Sequence, residues 1–152
     1  MGTPLAKHQR ERVSALGIEG RVIELGGLSS ARLARVYAAC DALAQPSLGE
    51  GFGVPVIEAM ACGLPVVASN RGALPEVVGD AGVLVAVPED GGANSGETVT
   101  AFARGLAAVF DDARMGEELR RRGFERAAGY RAERVLPLLG SAYRKALTSS
   151  SR

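Results

Sequence analysis

The chain has 152 residues, 47% hydrophobic and 23% charged, which favours one globular domain with a real core over a disordered tail. Eighteen basic residues against 17 acidic ones leave a formal net charge of +1, which argues against a dedicated nucleic-acid binder. No apolar run approaches the roughly 20 residues needed to cross a bilayer. The charged start, MGTPLAKHQRERV, has no signal-peptide core, so the default expectation is a cytoplasmic location.

Residues 4–16 read as a charged helix, with Val13 and Leu16 as its apolar contacts and Gly17 as its stop. His8, the only histidine, lies among Lys7, Gln9 and Arg10 and reads as a solvated helix position. The β-branched run Arg21-Val-Ile-Glu-Leu-Gly26 predicts a first strand closed by a Gly-Gly turn. Ser29 or Ser30 can cap the next helix, where Leu33, Val36, Tyr37 and Cys40 line one apolar face. Asp41–Gln45 predicts a second strand, stopped by Pro46. Pro65–Ser69 gives a third strand, Pro75–Val78 a helical turn, and Val83–Val87 a fourth strand. A linker over 88–96 is flexible by composition. Three helices follow: Glu97–Phe110, with Val99, Phe102, Leu106 and Val109 on one face, then Arg114–Ala128, then Ala132–Leu147, kinked at Pro137. The domain is thus expected over 1–147, with 148–152 as a disordered tail. Cys40 and Cys62, each among alanines at a predicted helix end, read as small buried apolar residues. Short strands alternating with helices imply an α/β fold, a Rossmann-like parallel sheet with helices on both faces.

The stretch Ser47–Glu58, SLGEGFGVPVIE, carries the chemistry. It places Glu50 and Glu58 seven intervening residues apart, with Gly51 and Gly53 just after the first. Val54 is expected to cap a helix, with Pro55 in its first turn, where a missing N–H costs nothing. Gly63 and Pro65 close it. Glu50 therefore belongs to a loop, and Glu58 lies about one turn inside a helix whose positive end faces that loop. Free N–H groups at such an end attract phosphate, and the glycines let a ligand approach the main chain. Together these features suggest a nucleotide-sugar site.

The longer string EGFGVPVIEAMACGLPVVAS, with VIELGGLSSARLARVYAACDALAQPS before it and GALPEVVGDAGVLV after it, resembles family 4 (group 1) glycosyltransferases. The resemblance covers roughly residues 13–147 and implies the C-terminal, donor-binding lobe of a two-lobed GT-B fold. It gives Glu58 the ribose hydroxyls and Glu50, as the catalytic candidate, the hydroxyls of the transferred sugar. Main-chain N–H groups around Gly53 and Val54 would receive phosphate or sugar oxygens, and Gly51 is grouped with these donor-binding residues. Ser47 either hydrogen-bonds near the phosphates or caps the loop. Phe52, grouped with the donor-binding residues, is expected to anchor the loop from a buried position. Gly26, Gly27 and Leu28 are where such enzymes commonly seat the base. The bland alternatives are a helix-dipole role for Glu58, worth roughly 0.3–1 kcal/mol, and a solvated turn acid for Glu50. Glu76 reads as a turn-fixing residue. Asp111-Asp112 reads as a solvated helix end, and no metal or other cofactor is expected.

The resemblance also implies missing parts. The Val22 strand matches the third of the family's donor lobe, so the first two would precede residue 1, and the lobe would be truncated. The Arg and Lys that clamp the diphosphate in the family would lie there too; neither Arg71 nor the Arg120–Arg122 run stands in their place. The N-terminal acceptor lobe is likewise outside the chain. The expected function is therefore donor binding, of a UDP-, GDP- or ADP-sugar, within a retaining enzyme that moves a hexosyl group to an acceptor hydroxyl. The isolated chain is expected to be inactive. An exposed sheet edge is expected to promote self-association. The alternatives are a non-catalytic nucleotide-binding or assembly module and, less fitting to the Glu-x7-Glu string, a sugar-nucleotide epimerase.

Overall fold

The computed structural model describes residues 4–88 and 95–149. Residues 89–94 of the linker predicted over 88–96, and residues 150–152 of the predicted tail, lie outside the described residues. The chain divides into two compact units, Met1–Arg35 and Val36–Arg152.

In the first unit, α1 spans Lys7–Ala15 and buries none of its residues. The Gln9 side chain, one turn in, accepts the Ala6 N–H at 2.8 Å and so supplies a partner for a donor at the helix start. Gly17, at φ 64°, follows the helix as expected. The predicted Arg21–Gly26 strand does not form. Glu19–Arg21 is a single 3-10 turn, and residues 22–26 take part in no strand pairing. A β-branched run has strong strand propensity only where a neighbour offers it a ladder, and none pairs with it among the described residues. Its side chains stay in solvent, Ile23 at 81% exposure. Helix α2, Ser30–Ala39, begins in the first unit and ends in the second; it starts with the Ser29 carbonyl accepting the Leu33 N–H at 2.9 Å.

Among its described residues the second unit holds a sheet of three parallel strands, where four strands were expected in the chain. Strands β1 (Leu43–Gln45), β2 (Val66–Ser69) and β3 (Val83–Val85) lie in that order. Leu43 is opposite Val66, and Val67 is opposite Val83. Between them come α3 (Val54–Ala61) and α4 (Leu74–Val78), and after them α5 (Gly96–Asp111), α6 (Ala113–Ala128) and α7 (Ala132–Ser149). Thr148 and Ser149, predicted as tail, thus belong to a helix. Both faces of β2 are covered, which is why Val66, Val67, Ala68 and Ser69 form an unbroken buried run. Val66 and Ala68 join Val56, Met60, Leu74 and Val78 on the α3/α4 side. Val67 joins Val85, Val109 and Leu119 on the α5 side. Fully burying a side chain of this size contributes about 1.5–3 kcal/mol, so this strand anchors the unit. Helix α5 approaches β2 closely at Gly105, where a Cβ would stand 3.0 Å from Val67 Cγ1.

Two core assignments need correction. Val99 is 60% exposed, and Thr98 and Gly105 take the buried face of α5 instead. Cys40 is exposed and Cys62 half-buried, so neither is a core residue. No helix among the described residues is long and apolar enough to cross a membrane.

Candidate functional site

The loop of interest leaves the carboxyl end of β1 and enters α3. In parallel α/β sheets ligands bind beyond the carboxyl ends of the strands, and the loop occupies that place. It is tied down from β2. Buried Ser69, the last residue of β2, donates its hydroxyl to the Ser47 carbonyl. The Ala73 N–H donates to the Glu50 carbonyl at 3.0 Å. Gly72, at φ 56°, lies so close to the Glu50 main chain that a Cβ there would stand 2.5 Å from its carbonyl oxygen. Only glycine suits both that dihedral and that approach.

Gly53, not Val54, is the N-cap of α3; it adopts φ 86°, and Val54 and Pro55 are the first helical residues. The Gly53 carbonyl accepts from Val56 and Ile57, at 3.0 and 3.3 Å. Its own N–H donates to Glu50 Oε1 at 3.3 Å. Pro55 has no N–H, so the Val54 N–H is the donor left open at the helix start among the described residues. The Glu50 carboxylate lies at the positive end of α3, as the dipole favours. Glu50 Oε2 accepts from the Gln45 side-chain amide at 3.4 Å, and that amide also donates to Ser47 Oγ at 2.7 Å.

Glu58 is the fifth residue of α3 and faces solvent. The Tyr37 hydroxyl of α2 donates to Glu58 Oε2 at 3.5 Å. Burial of the Tyr37 ring, then the Glu58 charge beside it, pushes the phenol above its ordinary range. Neither Glu50 nor Glu58 forms an ion pair among the described residues. Both carboxylates are thus available to hydroxyl groups, which a locked Arg pair would have prevented.

The remaining predicted residues fall as follows. Ser47 is half-buried and serves the loop through its carbonyl and hydroxyl. Gly51 is exposed, and a Cβ there would meet nothing within 4 Å, so the fold itself does not require glycine at that position. Phe52 is not the buried anchor expected. It is 51% exposed and meets the Tyr130 ring edge-to-face, with centroids 5.8 Å apart. The loop's anchors are polar and come from Ser69 of β2 and from the Gly72–Ala73 turn before α4, while the aromatic side chain stays outside. Gly26, Gly27 and Leu28 belong to the first unit, where Gly26 helps line a cavity of about 430 Å³ with Leu5, Val22 and Leu25.

Glu76 is structural through its main chain. The Arg126 guanidinium donates to the carbonyls of Glu76 and Val77. Arg120 likewise donates to the Gly63 carbonyl at 2.8 Å, just past α3. Arg120 and Arg126 of α6 therefore close helix ends rather than reach the loop. Sequence reasoning missed Gln45, Ser69, Gly72 and Tyr130, and placed Tyr37 only on an apolar face. The one signal for Gln45 and Ser69 was a polar residue ending each apolar strand.

The family model described as glycosyl transferases group 1 matches residues 2–126. A D-inositol 3-phosphate glycosyltransferase of Rhodococcus opacus is 51% identical over 53 residues, which are 35% of this chain and 12% of that protein. Sucrose-phosphate synthase from Thermosynechococcus elongatus superposes with a TM-score of 0.78 at 30% identity, over 94% of this chain and 34% of that one. HepE of Anabaena, solved in complex with UDP and glucose, superposes with a TM-score of 0.68 at 26% identity, over 94% and 36%. The chain thus spans about a third of these solved chains, and the Rossmann-like α/β fold is that of GT-B glycosyltransferases. On this match, which extends over most of its length, the chain belongs to the group 1 glycosyltransferases.

Proposed function

We propose that the chain is the donor-binding, C-terminal lobe of a retaining family 4 enzyme, which transfers a hexosyl group from a nucleoside-diphosphate sugar to an acceptor hydroxyl. The observation that carries the reading is the Glu50 carboxylate held at the open start of α3, at the carboxyl end of a parallel strand. Glu58 is exposed on the same helix and receives a tyrosine hydroxyl. In this reading Glu58 accepts from the two ribose hydroxyls, a use parallel α/β domains make of an acid. The Val54 N–H and the helix end receive diphosphate oxygens. Glu50 accepts from hydroxyls of the sugar and holds its anomeric carbon for attack. The bond from that carbon to the diphosphate breaks as the bond to the acceptor oxygen forms, and the acceptor hydroxyl passes its proton to the leaving diphosphate oxygen. In this reading no metal is required, since the N–H donors at the helix start, with the Arg and Lys expected in the longer enzyme, offset the leaving diphosphate.

The solved complex of HepE with UDP and glucose supports a uridine donor over GDP- or ADP-sugars. Transfer belongs to the longer enzyme, and the isolated chain binds donor without turning it over. Calorimetry with UDP, GDP and ADP tests this. One nucleotide is expected to bind, and Glu58→Ala to weaken it on the order of 10- to 100-fold, the loss of charged hydrogen bonds. Binding of none of the three, or binding indifferent to Glu58, would favour a non-catalytic module.

A further inference from the structure

The Glu50 carboxylate is held from two sides, by the Gly53 N–H on Oε1 and by the Gln45 amide on Oε2. Gln45 is the last residue of β1, half-buried, with its main chain in register with Ala68 of β2. A primary amide nitrogen carries two N–H donors, so it can serve Ser47 Oγ and Glu50 Oε2 together. The flipped amide would turn its carbonyl oxygen toward a carboxylate, and the two acceptors would repel. The contact therefore sets both the orientation of the amide and the direction of Glu50. At 3.3 and 3.4 Å the two bonds on Glu50 are long ones, which aim the carboxylate while leaving lone pairs for other donors.

We propose that Gln45 is a positioning residue: it aims Glu50 at the donor sugar and thereby sets the sugar-dependent part of donor binding. The proposal rests on the role given to Glu50 above. It differs from a loop-packing role because Gln45 reaches Glu50 from a strand, the more rigid support for such a group.

Two variants of the full chain test it: Gln45→Leu, which removes both donors, and the isosteric Gln45→Glu, which also sets a like charge beside Glu50. The ligand-free measurement is amide hydrogen exchange at Gly53, whose N–H the Glu50 carboxylate holds. Exchange is expected to rise about fivefold to tenfold in Gln45→Leu, and further in Gln45→Glu, the scale of one lost hydrogen bond. The ligand measurement compares UDP with UDP-glucose by calorimetry. Affinity for UDP-glucose is expected to fall about fivefold to tenfold while that for UDP stays unchanged. Unchanged Gly53 exchange overturns the proposal, as does an equal loss for UDP and UDP-glucose accompanied by a lower melting temperature. Should the unaltered chain bind neither compound, the donor reading fails, and Gly53 exchange alone still decides whether Gln45 aims Glu50.

Discussion

Gly72 shows how one missing methyl group shapes the site. Its left-handed dihedral and its approach to the Glu50 main chain leave no room for a side chain, and the obstructing atoms are backbone. Gly72→Ala is expected to cost about 1–3 kcal/mol in urea denaturation, because either the turn or the loop must shift. An unchanged denaturation midpoint would show that the approach is looser than described. The same obstruction explains what the sequence could and could not disclose. Glu50, Gly53 and Glu58 lie within nine residues of one another, and helix-start chemistry reads them together. Gln45 looks like a strand residue and Tyr37 like a member of an apolar face. Their partners are 5 and 21 residues away, and only folding makes the pairs.

Among the elements, α6 does the joining. One side of it packs on α3, and its arginines close the carboxyl ends of α3 and α4. Two other arginines of the helix, Arg121 and Arg122, are held by Glu118. Hydrogen bonds from Arg121, then from Arg122, hold its carboxyl down at about 2. A lowered folded-state value means that this stabilisation is complete above the ordinary carboxyl range and is lost as pH falls through that range toward about 2. Melting temperatures recorded across this acid window should drop more steeply for the native chain than for Glu118→Gln, which has no charge to lose. Parallel slopes would mean that the arginines do not need the carboxylate. The start and stop signals around Pro55 and Gly63 made α3 legible, and α5, α6 and α7 were placed to within a few residues, α5 by its repeating apolar face. The strand expected at 21–26 failed for the opposite reason: six residues carry a propensity but no partner.

For the whole molecule, the parallel sheet and its two covered faces were legible, since strand–helix alternation and the unbroken apolar run at 65–68 allow few other arrangements. The strand count was not, because it depends on pairing across the chain. Strand β1 ends the sheet with no further neighbour among the described residues, and α7 leaves Leu136, Leu138, Tyr143 and Leu147 at 61–72% exposure. Unpaired strand edges and apolar helix faces both favour association. We therefore expect light scattering to report more than one chain per particle as concentration rises; a constant single-chain mass would rule this out. The bonds from Ser69 and Ala73 to the loop have a practical consequence for anyone engineering such enzymes. A graft of residues 47–58 into a foreign scaffold would transfer the letters and leave behind the clamp that gives them shape, so the transplant must extend at least through residue 73.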